Sequence, residues 1–212
     1  MRNQWSALLL SSISLFMMLS PIHIRPALPS ADQSAPPSQQ TVIWHKAYRH
    51  IDPKTGYRTA YYRARVPNTV PGGTRISFKQ VLAHYREKTA RFVDVMAHIG
   101  TGPDPLDGTW RLAQPRKNIP GSLWLPDVGT GTISKTMESY FKLNLAKLTN
   151  NNKNQAIIIY CTADCWMAWN AVRRAASFGY TNILWYPEGT EDWLSAGQNV
   201  ENSIPVPLTL DE

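Results

Sequence analysis

From Ser77 onward the apolar residues switch repeatedly between a helical and a strand rhythm. Ser77-x-x-Gln80 has the form of a capping box, and Phe78, Val81, Leu82 and Tyr85 after it share one helical face. Arg91–Met96 (RFVDVM) reads as a strand. Ser134 opens a second helix, whose Met137, Tyr140, Phe141, Leu145 and Leu148 form a stripe that ends at the polar run 150–154. Ala156–Tyr160 (AIIIY) is unbroken and apolar, as expected of a strand buried on both faces of a parallel sheet. A helix follows from Trp166 to Phe178 with Gly179 as its C-cap, then a strand over Asn182–Tyr186, a turn at 187–189 and a short helix over Thr190–Leu194. Strands alternating with helices over short connections predict an α/β fold: a mainly parallel sheet flanked by helices, with an N-terminal extension.

The remaining segments are less regular. Residues 97–118 are rich in Gly and Pro and read as a long loop, and 119–126 (IPGSLWLP) as a short extended piece. Upstream, VIWH (42–45) and TAYYRARV (59–66) read as strands around a hairpin-like turn at Asp52-Pro53-Lys54-Thr55-Gly56. The expected organisation is a signal peptide or N-terminal anchor over 1–31, a flexible tether over 32–40, a basic β-rich extension over 41–74 and the α/β domain over 75–205. Arg2 and the apolar run from Trp5 to Leu19 carry the export reading, and the Pro-rich residues 26–40 carry the tether. Export places the protein in the periplasm, touching a membrane only through an uncleaved N-terminus.

Composition sharpens this. The chain has 212 residues, 43% hydrophobic and 17% charged, which suits a globular domain and excludes wholesale disorder. Its net charge of +7 is unevenly placed. Residues 41–91 hold eleven Lys/Arg against Asp52 and Glu87, a net +9, whereas 92–212 carry nine Lys/Arg and twelve Asp/Glu, a net −3. No nucleic-acid-binding signature accompanies the basic stretch, so we read it as a solvated basic face and expect no nucleic-acid partner.

Two cysteines exclude a disulfide scaffold and any four-thiolate metal site. Both fall in one loop, Cys161-Thr162-Ala163-Asp164-Cys165-Trp166, between the most apolar strand and a helix. Open α/β sheets bind ligands at such strand ends, and the backbone N–H groups of a strand-to-helix turn stabilise negative charge. A thiolate at Cys161 is favoured there, which makes it the candidate nucleophile or sulfur carrier, with Cys165 as resolving thiol. Asp164 is expected to cap the helix N-terminus. Trp166 and Trp169 lie one helical turn apart, either as a wall over the thiols or as core. Inert packing of both cysteines, or a small strained disulfide between them, are the competing structural readings.

The ordered set Phe92-Val93-Asp94-Val95, Ile119-Pro120-Gly121-Ser122, Ile157–Cys161, Phe178-Gly179-Tyr180, Trp185–Gly189 and Trp193 resembles the rhodanese-like domain over about residues 75–200. Within it, the run from Cys161 to Asn170, with 119–126 and 185–190, resembles a periplasmic family named for a Cys-x-x-Cys-Trp motif. That family is associated with pyrroloquinoline-quinone (PQQ)-dependent catabolism of alcohols. The resemblance implies a sulfurtransferase-like site: Cys161 carries sulfur, the loop Thr162, Ala163, Asp164 and Trp166 cradles the persulfide, and Asp94 and Trp169 give structural support. It also implies a partner, a PQQ-dependent alcohol dehydrogenase or its cytochrome c. Three residues, not two, separate the cysteines here. Where rhodaneses often carry a cation five places after the cysteine this chain has Trp166, which argues against thiosulfate as donor and against phosphatase chemistry.

Two other functions stay open. One is a non-catalytic accessory protein of a quinoprotein system. The other is a Cu(I) carrier, since exported copper carriers of another fold use Cys-x3-Cys, with Met167 as a further soft donor. No resident cofactor and no other metal site is expected. His45, His50, His84 and His98 show no ligand spacing.

Overall fold

The computed structural model describes residues 48–208, so the expected signal segment, the tether and the strand at 42–45 lie outside the described residues. A five-stranded parallel sheet forms the centre. It contains β1 (Thr74–Arg75), β2 (Arg91–Asp94), β6 (Leu123–Trp124), β7 (Ile157–Tyr160) and β8 (Ile183–Tyr186), in the order β1-β8-β7-β2-β6. Four helices flank it: α1 (Phe78–Glu87), α2 (Lys135–Thr149), α3 (Trp166–Ser177) and α4 (Gly189–Ser195). The predicted α/β fold is the one observed.

Strand β7 lies in the middle, and all four of its residues are buried. Successive side chains leave a strand on opposite faces, so Ile157 and Ile159 join the core under α2 and α3 while Ile158 and Tyr160 join the one under α1 and α4. This is why the sequence there shows an unbroken apolar run and no alternation. The helix boundaries follow their caps. The Ser77 N–H donates to Gln80 Oε1 (2.9 Å), and Ser134 Oγ accepts from the Met137 N–H (3.1 Å). Helix α2 stops at Asn150 in the left-handed conformation, and Gly179 with φ 88° follows the end of α3.

Two expectations fail. Residues 97–118 are not a plain loop: β3 (Gly100–Pro103) pairs antiparallel with β4 (Trp110–Leu112), and β5 (Arg116–Asn118) with β9 (Glu201–Ser203). Gly102 adopts φ 86° at a register shift, so the ribbon rests on bulge geometry and on buried Trp110, whose indole N–H donates to the Val206 carbonyl. No alternating pattern announces it.

The second concerns the extension. Its described part is not β-rich. The turn at 52–56 does form, with the Asp52 N–H on the Tyr57 carbonyl (2.9 Å) and Ile51 bridged to Arg58. The strand expected at 59–66 does not. Tyr61 takes a left-handed φ of 51°, which breaks the extended run, and its carbonyl accepts the Arg58 guanidinium. Beyond it the chain touches one short partner, through the antiparallel bridge Arg63–Cys165. Nor is the basic face simply solvated: Arg58 is buried, and Arg63 and Arg75 face Glu191 and Glu188.

Candidate thiol site

Cys161 leaves the C-terminal end of β7, and Asp94 ends β2 in register with Tyr160 beside it. Gly189 at the start of α4 closes the loop from the far side. The Thr190 N–H donates to the Cys161 carbonyl (3.1 Å), and a side chain at Gly189 (φ 58°) would collide with that same carbonyl. Cys165 is the N-cap of α3. The two cysteines are free and buried, near enough for each to act on the other's ionisation, and Cys161 Sγ lies 3.8 Å from Thr162 Oγ1.

The two thiols sit in different electrostatic surroundings. Burial pushes the Cys161 thiol well above its ordinary value, and the Cys165 sulfur beside it pushes the same way. Cys165 is held below its ordinary value, first by the Cys161 thiol beside it and then by the Met167 and Ala168 N–H groups of the α3 N-terminus, against the effect of burial. With the proton on Cys161, negative charge in the pair is favoured at Cys165, the residue that caps the helix.

Asp164 does not cap α3. It sits in the left-handed conformation (φ 51°), and its carboxylate accepts the Val66 N–H (3.3 Å) from the extension. Three N–H groups of the expected cradle are occupied from within the chain, while the Thr162 N–H acts on Cys161. Ala163 donates to Glu191 Oε2 (2.8 Å), Asp164 to the Pro187 carbonyl (3.2 Å), and Trp166 to the Tyr62 carbonyl (2.8 Å). Thr162 Oγ1 accepts from the Arg63 guanidinium, and the Ala64 N–H donates to the Asp164 carbonyl (3.1 Å). Residues 62–66 thus run as a strap along the loop that carries both buried thiols.

Asp94 links the end of β2 to β5. Its carboxylate accepts the Met96 N–H (2.9 Å) and Arg116 Nε (2.8 Å). Burial lifts its carboxyl above the ordinary range, against the pull of Arg116. Trp166 and Trp169 pack edge-to-face at 5.2 Å within the core. The Trp169 indole donates to the Thr69 carbonyl (3.0 Å), so this residue supports the strap's continuation. The Arg58 guanidinium lies 4.4 Å over the Trp166 ring.

Three neighbours of the thiols were not evident from sequence. Arg63 arrives from the extension and Arg116 from β5, so the cations missing from the loop come from distant segments. Met96 places its sulfur 3.5 Å from Cys161 Sγ. The only hint of Met96 was its position just past a strand that ends beside β7. Among the described residues no three His, Cys, Asp or Glu side chains cluster as a metal would need, and no helix is long and apolar enough to cross a membrane.

Residues 77–196 match the family model for the rhodanese-like domain. No curated protein matches the chain. Among solved structures, a thiosulfate sulfurtransferase from Pseudomonas aeruginosa aligns at 16% identity and TM-score 0.43, over 63% of this chain and 21% of that one. The polysulfide-sulfur transferase homodimer from Wolinella succinogenes aligns at 16% and 0.39, over 61% and 79%. An uncharacterized Saccharomyces cerevisiae protein aligns at 21% and 0.35, over 58% and 92%. The alignment thus spans about a fifth of the Pseudomonas protein's length.

Proposed function

The chain belongs to the rhodanese-like domain family, and on that premise we propose that it carries sulfur on the Cys161/Cys165 pair. The observation that carries this reading is the pair of free, buried thiols on one strand-end loop, Cys161 just after β7 and Cys165 capping α3. In the forward step Cys161 attacks the outer sulfur of a persulfide R–S–SH. A new S–S bond forms at Cys161, the donor's S–S bond breaks, and RSH leaves. Cys165, the thiol on which negative charge is favoured, takes the proton of Cys161 as the attack proceeds. An acceptor thiol R′–SH then takes the outer sulfur as R′–S–SH and restores Cys161. Where Cys165 attacks the Cys161 sulfur instead, hydrogen sulfide leaves and a Cys161–Cys165 disulfide remains. A thiol reductant then returns it to the dithiol, so the pair can also cycle as a redox couple.

The strap over 62–66 must lift, or donors must enter beside it, for either chemistry to proceed. We place the protein in the periplasm, serving PQQ-dependent alcohol oxidation, on the sequence run around Cys161, Cys165 and Trp166. The covered thiols also favour a second reading, a non-catalytic accessory protein of that system.

Full-chain protein is treated anaerobically with an inorganic polysulfide, and its intact mass is recorded before and after cyanide. A gain of one sulfur, released as thiocyanate and lost in Cys161→Ser, is the expected result. A wild-type chain that retains no sulfur, or a Cys161→Ser chain that loads equally, overturns the sulfur-carrier reading. Growth on an alcohol that survives replacement of both cysteines selects the accessory reading.

A further inference from the structure

We propose that Cys161, Cys165 and Met96 form a Cu(I) site, in which Met96 is the third ligand. The contact that points to it is between side chains 65 residues apart: Met96 Sδ lies 3.5 Å from Cys161 Sγ, and the buried thiol of Cys165 ends the same short loop. Metal–sulfur bonds are about 2.3 Å long, so one ion bound to two sulfurs at this separation would see them at roughly 100°. That angle is close to tetrahedral for the Met96 and Cys161 sulfurs.

Met96 is held ready for this. Its N–H donates to Asp94 Oδ1 (2.9 Å) and its carbonyl accepts the Trp124 indole N–H (2.8 Å), which fixes the backbone on both sides. Met167, the methionine suggested by sequence, has no such contact with the thiols among the described hydrogen bonds.

The donor set selects the metal. Two thiolates and a thioether are soft ligands and favour Cu(I), whereas zinc takes thiolate, imidazole or carboxylate. The hard donors shown near Cys161 are engaged: the Asp94 carboxylate by Arg116, and Thr162 Oγ1 by the Arg63 guanidinium. Binding replaces two thiol protons with one copper ion, so the site gains one positive charge and loses two. The resulting anion sits within the field of Arg116, which acts on Cys161, and of Arg63, which acts on Cys165. Met96 is only partly buried whereas both cysteines are covered, so the ion meets the thioether first.

The test titrates full-chain protein anaerobically with Cu(I) against a chromophoric Cu(I) chelator, and takes the copper-edge X-ray absorption spectrum of the product. One copper per chain, two protons released and a shell of three sulfurs are expected. Met96→Leu conserves volume and should fold. It should weaken binding by at least about 10–100-fold, the cost of losing even an outer partner of a metal site, and reduce the shell to two sulfurs. Three results overturn the site: no copper bound by the wild type, copper retained after both cysteines become serine, or an unchanged shell and affinity in Met96→Leu. Sulfur loading is read by mass and copper by stoichiometry, so failure of one reading leaves the other standing.

Discussion

Strand β7 and the extension over 48–70 both lie against helix α3, yet they are held by different forces. The strand side is apolar: Ile157, Ile159, Val172 and Phe141 are completely buried in one continuous cluster. The extension side is polar. Asn170, buried on α3, accepts the Arg58 N–H (2.9 Å) and donates to the carbonyls of Arg58 and Gly129 (2.8 Å each), so its amide treats the extension like a neighbouring strand. Arg173 reaches the Gly56 carbonyl, and Arg174, buried despite its charge, donates to the carbonyls of Val128 and Thr130. A side chain at Gly131 would run into the Arg58 carbonyl, so the loop before α2 also fits closely against the extension. Apolar burial is non-directional and tolerates replacement by similar volume, whereas a buried amide is either matched or costly. The two regions should therefore fail differently.

Breaking the apolar side should have the largest effect. Phe141→Ala leaves a cavity between α2 and the sheet, facing Phe178 across a 5.7 Å edge contact. It should cost about 3–5 kcal/mol in global stability, read as a lower urea midpoint with one cooperative transition. Asn170→Ala should cost less, about 1–3 kcal/mol, by leaving the Arg58 N–H and carbonyl unpaired in a buried setting. Its signature is local: faster proteolysis within 57–66 and faster labelling of Cys161 and Cys165 while the sheet stays protected. If Asn170→Ala merely lowers global stability with the thiols still covered, the extension and the core are one cooperative unit and the comparison breaks.

The same difference decides what the sequence reveals. Ile157–Tyr160 is legible because burial on both faces demands an apolar residue at every position. Ser77 and Ser134 are legible because caps depend on residues three places away. The cysteine pair is legible because both thiols fall on one short loop at a strand end. Asn170 is not, because an asparagine inside a helix looks the same whether it faces solvent or a backbone 112 residues away. Arg63, Arg116 and Met96 reach the thiols only through tertiary contacts, which no spacing rule encodes. Asp164 was read as the cap because Asp is a favoured N-cap residue, yet α3 begins one residue later and the carboxylate serves the strap.

The smallest effect sharpens the comparison from the outer end of the extension. Asp52 organises the turn by accepting the Lys54 N–H (2.9 Å) and the Thr55 hydroxyl (3.0 Å), and these bonds hold its carboxyl below the ordinary range, the Lys54 N–H most strongly. The folded state therefore binds this proton less readily than the unfolded chain does. The turn's stabilisation is complete above the unfolded value of about 3.9 and is lost as pH falls through the lower folded value. Amide exchange at Lys54 and cleavage near Gly56 should both rise in that acid window, with no matching change along β7. Asp52→Asn keeps an acceptor oxygen but removes the charge, so it should show weaker protection at neutral pH and no further loss in acid. Because the turn is exposed and the strap is anchored separately by Asn170 and Asp164, thiol labelling should stay unchanged through this transition. Coupled labelling would mean instead that the turn, strap and thiol loop open together.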